Sequence, residues 1–134
     1  MSRTVFRVFY AATAMARTYA RDKRKTSHLV DQAAAKAHKQ HSTLGKVWTD
    51  FSELLGMIRA WASGKYSVVP WKSLVLGIAA VLYFVNPFDL VPDFLPVTGL
   101  VDDVAVLAFV LKSLQKDLAR FRIWQQAQTE SPHA

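Results

Sequence analysis

The chain has 134 residues, of which 51% are hydrophobic, and it contains no cysteine. This length suits one domain, and the composition excludes a globally disordered chain, a disulfide framework and any site built on a thiolate. The formal net charge of +7 is concentrated in residues 1–48, which carry ten Lys or Arg against two acids, whereas residues 49–134 carry seven against eight. A basic front half predicts an anionic partner, either phospholipid or nucleic acid.

Residues 2–24 show helical periodicity, with apolar side chains on one arc and arginines on the opposite arc. The apolar arc carries Val5, Val8, Phe9, Ala12, Met15, Ala16 and Tyr19. The basic arc carries Arg3, Arg7, Arg17, Arg21 and Arg24. Two interpretations stay open: the helix adsorbs to an anionic membrane surface through these arginines, or it packs on its own domain with the basic arc in water. We expect an ordinary amphipathic helix rather than a cleaved targeting signal, because the segment is weakly apolar for a signal.

Two more helices are predicted before residue 65. Residues 28–41 are alanine-rich and polar, which favours a helix with a thin apolar stripe. The next helix begins at Ser42 or Thr43, both good N-cap residues, and has a strong apolar face that we expect to lie in the core. Gly64 is placed to end this helix, and Pro70 is placed to begin the next one.

The most apolar part of the chain, residues 73–111, contains no Lys, Arg or His. Its first arm, residues 71–85, is about 22 Å long as a helix, which falls short of the ~30 Å core of a bilayer. The second arm, residues 102–124, is apolar only as far as Leu111. The two arms predict a helical hairpin, which either enters one leaflet and returns or forms the core of a compact bundle. The polar segment 125–134 is expected to be a frayed tail.

The whole pattern predicts an all-α fold, a small bundle of about four or five helices with the apolar hairpin joined by an Asp- and Pro-rich turn. We expect three parts: a basic amphipathic helical segment at 1–48, a helical domain at 49–124, and a polar tail at 125–134.

The turn between the two arms, residues 86–103, reads NPFDLVPDFLPVTGLVDD. Its expected turn-forming residues are Asn86, Pro87, Pro92, Pro96 and Gly99. Its four carboxylates are Asp89, Asp93, Asp102 and Asp103. One interpretation is that each aspartate only caps a helix start. The other is that these crowded carboxylates, with no basic residue among them, bind a cation or a basic group of a partner.

If a metal binds, oxygen ligands favour Mg²⁺ or Ca²⁺, and Asp89 and Asp93 are the first candidates to hold it. No catalytic residues are predicted, because the chain has no phosphate-binding loop, no nucleophile elbow and no zinc-protease motif. We therefore do not expect an enzyme, and no cofactor other than such an ion is implied.

The same stretch resembles the signature of the YkvA-like family, a domain of unknown function. The residues that match as they stand are Pro87, Asp89, Leu90, Pro92, Asp93, Phe94, Pro96, Val97, Gly99, Asp102 and Asp103. Thr98 replaces a leucine and is the clearest departure. The resemblance covers roughly residues 54–114, and it implies a small, often membrane-associated protein without an assigned activity.

We therefore expect a small membrane-associated helical protein, an interaction or scaffold module that uses the basic amphipathic helix and the apolar hairpin. The alternative is a cation or proton site at the four aspartates, serving transport or, less readily, hydrolysis. The expected partners are an anionic membrane surface and a protein partner or a second copy, with nucleic acid ranked last. In a bacterium, the expected location is the cytoplasmic face of the inner membrane.

Overall fold

A computed structural model describes residues 3–85 and 103–130, with side chains described for 11–42, 44–85 and 107–128. Seven α-helices and one 3-10 turn make up the regular structure of these residues, with no strand among them. They are α1 (Arg3–Tyr19), α2 (Lys23–Lys39), α3 (His41–Leu44), the 3-10 turn Gly45–Val47, α4 (Trp48–Ala62), α5 (Trp71–Val85), α6 (Asp103–Ser113) and α7 (Gln115–Glu130). The all-α class predicted from the sequence is confirmed.

Helix α5 is the central helix of the bundle. Ten of its 15 residues are buried, including every residue from Gly77 to Phe84. It is in contact with α1, α2, α4 and α6. A helix that is apolar on every side must be enclosed by other elements, and each large aliphatic or aromatic side chain buried here contributes about 1.5–3 kcal/mol. The first arm of the hairpin therefore forms the core of a bundle.

Helix α1 packs on α5 through a row of small side chains. Ala12, Ala16 and Ala20 lie four residues apart and are buried. Small residues at this spacing allow the two backbones to approach closely, and the α1–α5 contact is the most extensive between any two described helices. Met15, beside this row, is 40% exposed. Residues 11–20 therefore pack on the protein's own domain, which is one of the two interpretations of this segment.

The first helix ends at Tyr19, so the prediction of one helix to Arg24 is wrong. Asp22 starts α2 instead, because its carboxylate accepts a hydrogen bond from the Lys25 backbone N–H at 3.0 Å. The buried Thr26 hydroxyl donates to the Tyr19 carbonyl at 2.5 Å and fixes the turn between the two helices. Arg21 therefore lies in a turn, and Arg24 lies in the first turn of α2.

The helix expected to begin at Ser42 or Thr43 begins at Trp48. Gly45, whose φ is 53°, ends the short helix α3, and the 3-10 turn follows it before α4 begins. The apolar face of α4 is buried as expected, with Phe51 and Ile58 among its core residues. Gly64 ends the helix as predicted: its φ is 82°, and the Lys65 N–H donates to the Ala60 carbonyl at 3.0 Å.

The second arm of the hairpin is divided at Leu114 into α6 and α7. Helix α6 packs on α4 and α5, and α7 packs on α4. The buried apolar residues of this arm are Leu107, Val110, Leu111, Leu114, Leu118 and Phe121. Helix α7 is also tied to α4 by Arg122, which donates to both carboxylate oxygens of Glu53 at 3.0 Å. It continues to Glu130, so the segment expected to fray from residue 125 is helical as far as the structure describes it.

Candidate functional site

One end of the bundle is formed by the α1–α2 turn and the α4–α5 loop. Helices α2 and α4 pack antiparallel: Asp31 forms a 2.9 Å ion pair with Arg59, and Lys23, earlier in α2, lies beside Trp61, later in α4. The Lys23 ammonium lies 5.3 Å from the centre of the Trp61 ring, near the end of α4. Because α5 begins directly after the following loop, the start of α2, the end of α4 and the start of α5 all lie at this end.

This end, here called the basic end, carries seven exposed cationic side chains. They are Arg17, Arg21, Lys23, Arg24, Lys25, Lys65 and Lys72. Asp22, the acid within the α1–α2 turn, is engaged as the cap of α2. The cluster thus combines three residues that the sequence assigned to a membrane-binding arc with four that it did not. Five of the seven come from residues 1–48 and two, Lys65 and Lys72, come from residues 49–134, and the α2–α4 packing brings these two groups together.

Helix α7 adds charge beside the start of α5. The Ser73 hydroxyl donates to the Asp117 carboxylate at 2.6 Å, which places the first turns of α5 and α7 side by side. Lys116 and Arg120, on the same part of α7, are both exposed. The carboxylate nearest to these cations is thus hydrogen-bonded within the fold. The charge presented to solvent along this edge is positive.

A buried aromatic cluster supports the α4–α5 loop. Tyr66 is 4% exposed, and its ring packs against Phe121 and Trp124 at centroid distances of 5.3 and 5.0 Å. Burial raises the pKa of its hydroxyl, as does the negative charge of Asp117, while Arg120 lowers it. Tyr66 therefore holds the loop against α7 beside the charged residues of the basic end.

A lysine occupies the opposite end of the central helix. The half-buried Lys36 of α2 donates from its Nζ to the Phe84 carbonyl at 2.6 Å, and the same ammonium lies 5.0 Å from the centre of the Phe84 ring. It stabilises the negative end of α5 directly before the Asp- and Pro-rich stretch begins. This role of Lys36 could not be predicted from the sequence, because nothing local to Lys36 indicates a partner 48 positions away.

The structure places the predicted site residues as follows. Arg17 lies in the last turn of α1, and Arg3 and Arg7 lie in α1 with side chains outside the described set. The predicted turn-forming and ion-site residues outside the described ranges are Asn86, Pro87, Asp89, Pro92, Asp93, Pro96, Gly99 and Asp102. Asp103 is the first residue of α6, but its side chain is not described. Among the side chains described for 11–42, 44–85 and 107–128, no group of three or more His, Asp or Glu is arranged to hold a metal ion.

None of the helices within 3–85 and 103–130 is both long enough and apolar enough to cross a bilayer.

Comparison with known proteins gives two matches. The family described as "Protein of unknown function (DUF1232)" matches residues 73–109. The chain is also 31% identical over 103 residues to the "Uncharacterized membrane protein YkvA" of Bacillus subtilis (strain 168), a match that covers 77% of this chain and 97% of the relative. No solved structure matches the chain significantly.

The length of the second match corrects the extent of the resemblance. A match of 103 residues reaches well beyond the 54–114 stretch inferred from the motif, so the likeness is not confined to the hairpin and the helix before it. The relative is matched over nearly its whole length at this identity. The chain therefore belongs to the YkvA-like family of proteins of unknown function.

Proposed function

We propose that this protein is a membrane-associated interaction module whose closed bundle attaches to an anionic lipid surface through the basic end. The observation that carries the proposal is the set of seven exposed cationic side chains from the α1–α2 turn and the α4–α5 loop. The relative described as a membrane protein supports membrane association in this family.

The energy of such attachment comes from the sum of many weak attractions. Each Lys or Arg held near an anionic leaflet contributes about 1 kcal/mol at moderate ionic strength, and this contribution decays within a Debye length of about 8–10 Å. Because the cationic side chains of the basic end belong to one folded bundle, they can all approach the anionic leaflet to within this distance at the same time. Binding by this mechanism depends on anionic lipid and weakens as salt is added.

The proposal differs in one respect from the mechanism expected from the sequence. The small-residue row of α1 and residues 74–84 of the hairpin's first arm fill the core, so neither is offered to lipid while the bundle is closed. We therefore assign attachment to the charged end rather than to the apolar hairpin. The end of α5 at Val85, from which the Asp- and Pro-rich stretch departs, lies away from the basic end. We propose that it faces a protein partner or a second copy.

The test is binding to vesicles of zwitterionic lipid alone and of zwitterionic lipid mixed with an anionic phospholipid. The test variant is Arg21→Gln with Arg24→Gln. The control is Lys39→Gln with Lys46→Gln, which removes the same charge from exposed positions elsewhere. At about 1 kcal/mol per cation, the test variant should bind anionic vesicles about 30-fold more weakly, and the control should change binding only slightly. Deleting residues 1–25 is not a clean test, because it would remove Ala12, Ala16 and Ala20 from the core.

Two results would contradict the proposal. One is equal binding of the unmodified protein to neutral and anionic vesicles. The other is an equal loss of binding in the test and control variants, which would indicate a response to net charge rather than to this end of the bundle.

The alternative, a cation or proton site at Asp89, Asp93, Asp102 and Asp103, stays a prediction. These side chains lie outside the described set, and the proposed attachment does not depend on them.

A further inference from the structure

Two large apolar side chains are exposed within the basic end. Val68, in the α4–α5 loop, is 66% exposed, and Trp71, the first residue of α5, is 48% exposed. Lys65 and Lys72 flank them in the chain, and the Ser73–Asp117 hydrogen bond places the first turn of α7, which carries the exposed Lys116, beside the first turn of α5. An exposed tryptophan at an end of the bundle that is rich in cations differs from an isolated surface hydrophobe, because these cations favour an anionic partner.

The backbone that presents these side chains is held at both ends. Before them, the Gly64 N–H donates to the Trp61 carbonyl and the Lys65 N–H to the Ala60 carbonyl, both at 3.0 Å, which closes the end of α4. Between them and α4, Tyr66 is buried against α7. After them, the Leu74 N–H donates to the Pro70 carbonyl at 2.9 Å, which begins α5. Val68 and Trp71 therefore point from a supported loop, and little order has to be gained when they bind.

We infer that the loop between Gly64 and Trp71 is the part of the basic end that enters the membrane interface, with the Trp71 indole and the Val68 side chain among the lipid headgroups. Tryptophan favours this zone because its ring is apolar and its N–H can still bond to water or headgroups. The surrounding lysines extend toward phosphates from the same edge. Contact at the start of α5 sets the orientation of the bundle, with the Val85 end of α5 directed away from the lipid.

This inference rests on the proposed function and adds to it the contact point and the orientation. It also predicts a second, salt-resistant part of the affinity. Charge attraction is screened by added salt, whereas the transfer of an indole and an isopropyl group out of water is not. Binding at high salt should therefore depend mainly on Trp71 and Val68.

The experiment uses the full chain and vesicles that contain an anionic phospholipid. Trp71→Ser and Val68→Ser are compared with Phe109→Ser, which removes a side chain of similar exposure (64%) from α6. Helix α6 contacts the 3-10 turn before α4, at the opposite end of α4 from the loop. At raised salt, Trp71→Ser should weaken binding about tenfold and Val68→Ser about threefold, while Phe109→Ser should leave it within about twofold.

A second measurement reads the depth of the indole directly. Vesicles containing a lipid brominated near the headgroup should quench the fluorescence of the unmodified protein. This quenching should be largely absent in Trp71→Phe, which keeps an aromatic side chain at this position. Circular dichroism of each variant shows whether the helical fold is retained.

The outcomes separate the two proposals. If Phe109→Ser weakens binding as much as Trp71→Ser, or if quenching is unchanged in Trp71→Phe, the insertion of this loop is overturned and the electrostatic attachment stands. If the unmodified protein does not bind anionic vesicles, or binds duplex nucleic acid in preference to them, both proposals are overturned.

Discussion

Replacing Lys36 with methionine should remove a strong contact at the end of the central helix while keeping its aliphatic stem in place. The ammonium lies 2.6 Å from the Phe84 carbonyl and is half-buried between α2 and α5. A hydrogen bond from a charged donor contributes about 1.5–3 kcal/mol, and a cation at a helix C-terminus contributes about 0.3–1 kcal/mol, partly through the same atoms. We expect Lys36→Met to lower the free energy of unfolding by about 2 kcal/mol.

Urea denaturation followed by far-ultraviolet circular dichroism measures this change. The control is Lys39→Met, which removes an exposed lysine from the same last turn of α2. It should cost no more than about 0.5 kcal/mol, because an exposed cation contributes little. The difference between the variants should persist at about 0.5 M salt, since a half-buried contact is weakly screened. Equal effects of the two substitutions would refute the assignment of Lys36 as the stabilising residue at the end of α5.

Three further predictions concern other parts of the chain. If Asp89 and Asp93 only cap helices, changing each to Asn should cost little and the effects should add, whereas an ion site predicts non-additive losses that Mg²⁺ or Ca²⁺ modulates in thermal unfolding. Gly64→Ala should lower the free energy of unfolding by about 1 kcal/mol in urea titrations, because φ of 82° disfavours a Cβ although the space around it is open; no loss would contradict the cap geometry. Because the pKa of Tyr66 is raised in the folded state, its contribution to stability should be constant below pH 10 and should fall above it. Tyr66→Phe should reduce that alkaline decline, and an identical decline in both proteins would contradict the assignment.

The central helix could be predicted from the sequence with its observed bounds. Residues 71–85 are apolar on every side, Pro70 precedes them, and the next residue is Asn86, so both ends carry a local signal. The break between α1 and α2 also had a signal, since Asp22 is a good N-cap residue. The arginine spacing that continued through Arg24 suggested one longer helix, and the capping chemistry overrode it.

The candidate site was less accessible to sequence reasoning, because its parts are distant in the chain. The charge pattern identified Arg17, Arg21 and Arg24 but gave no reason to add Lys65 and Lys72, which lie in the less basic half. Only the antiparallel packing of α2 on α4 places them together. The contribution of Lys36 was hidden for the same reason. Periodicity predicts which residues are buried, but it does not predict which helices meet.

The position of α5 in the order of synthesis has a consequence for how the protein is made. This most apolar helix emerges from the ribosome after α1, α2 and α4, all of which contact it in the finished fold. The chain is synthesised from its N-terminus at about 5–20 residues per second, so these earlier helices leave the ribosome before α5 does. Three of its neighbours are therefore available as soon as α5 appears, and its exposure to water or to other nascent chains is brief. A circular permutant that began at Trp71 would lose this protection, and we expect it to aggregate during expression even if its folded state were equally stable.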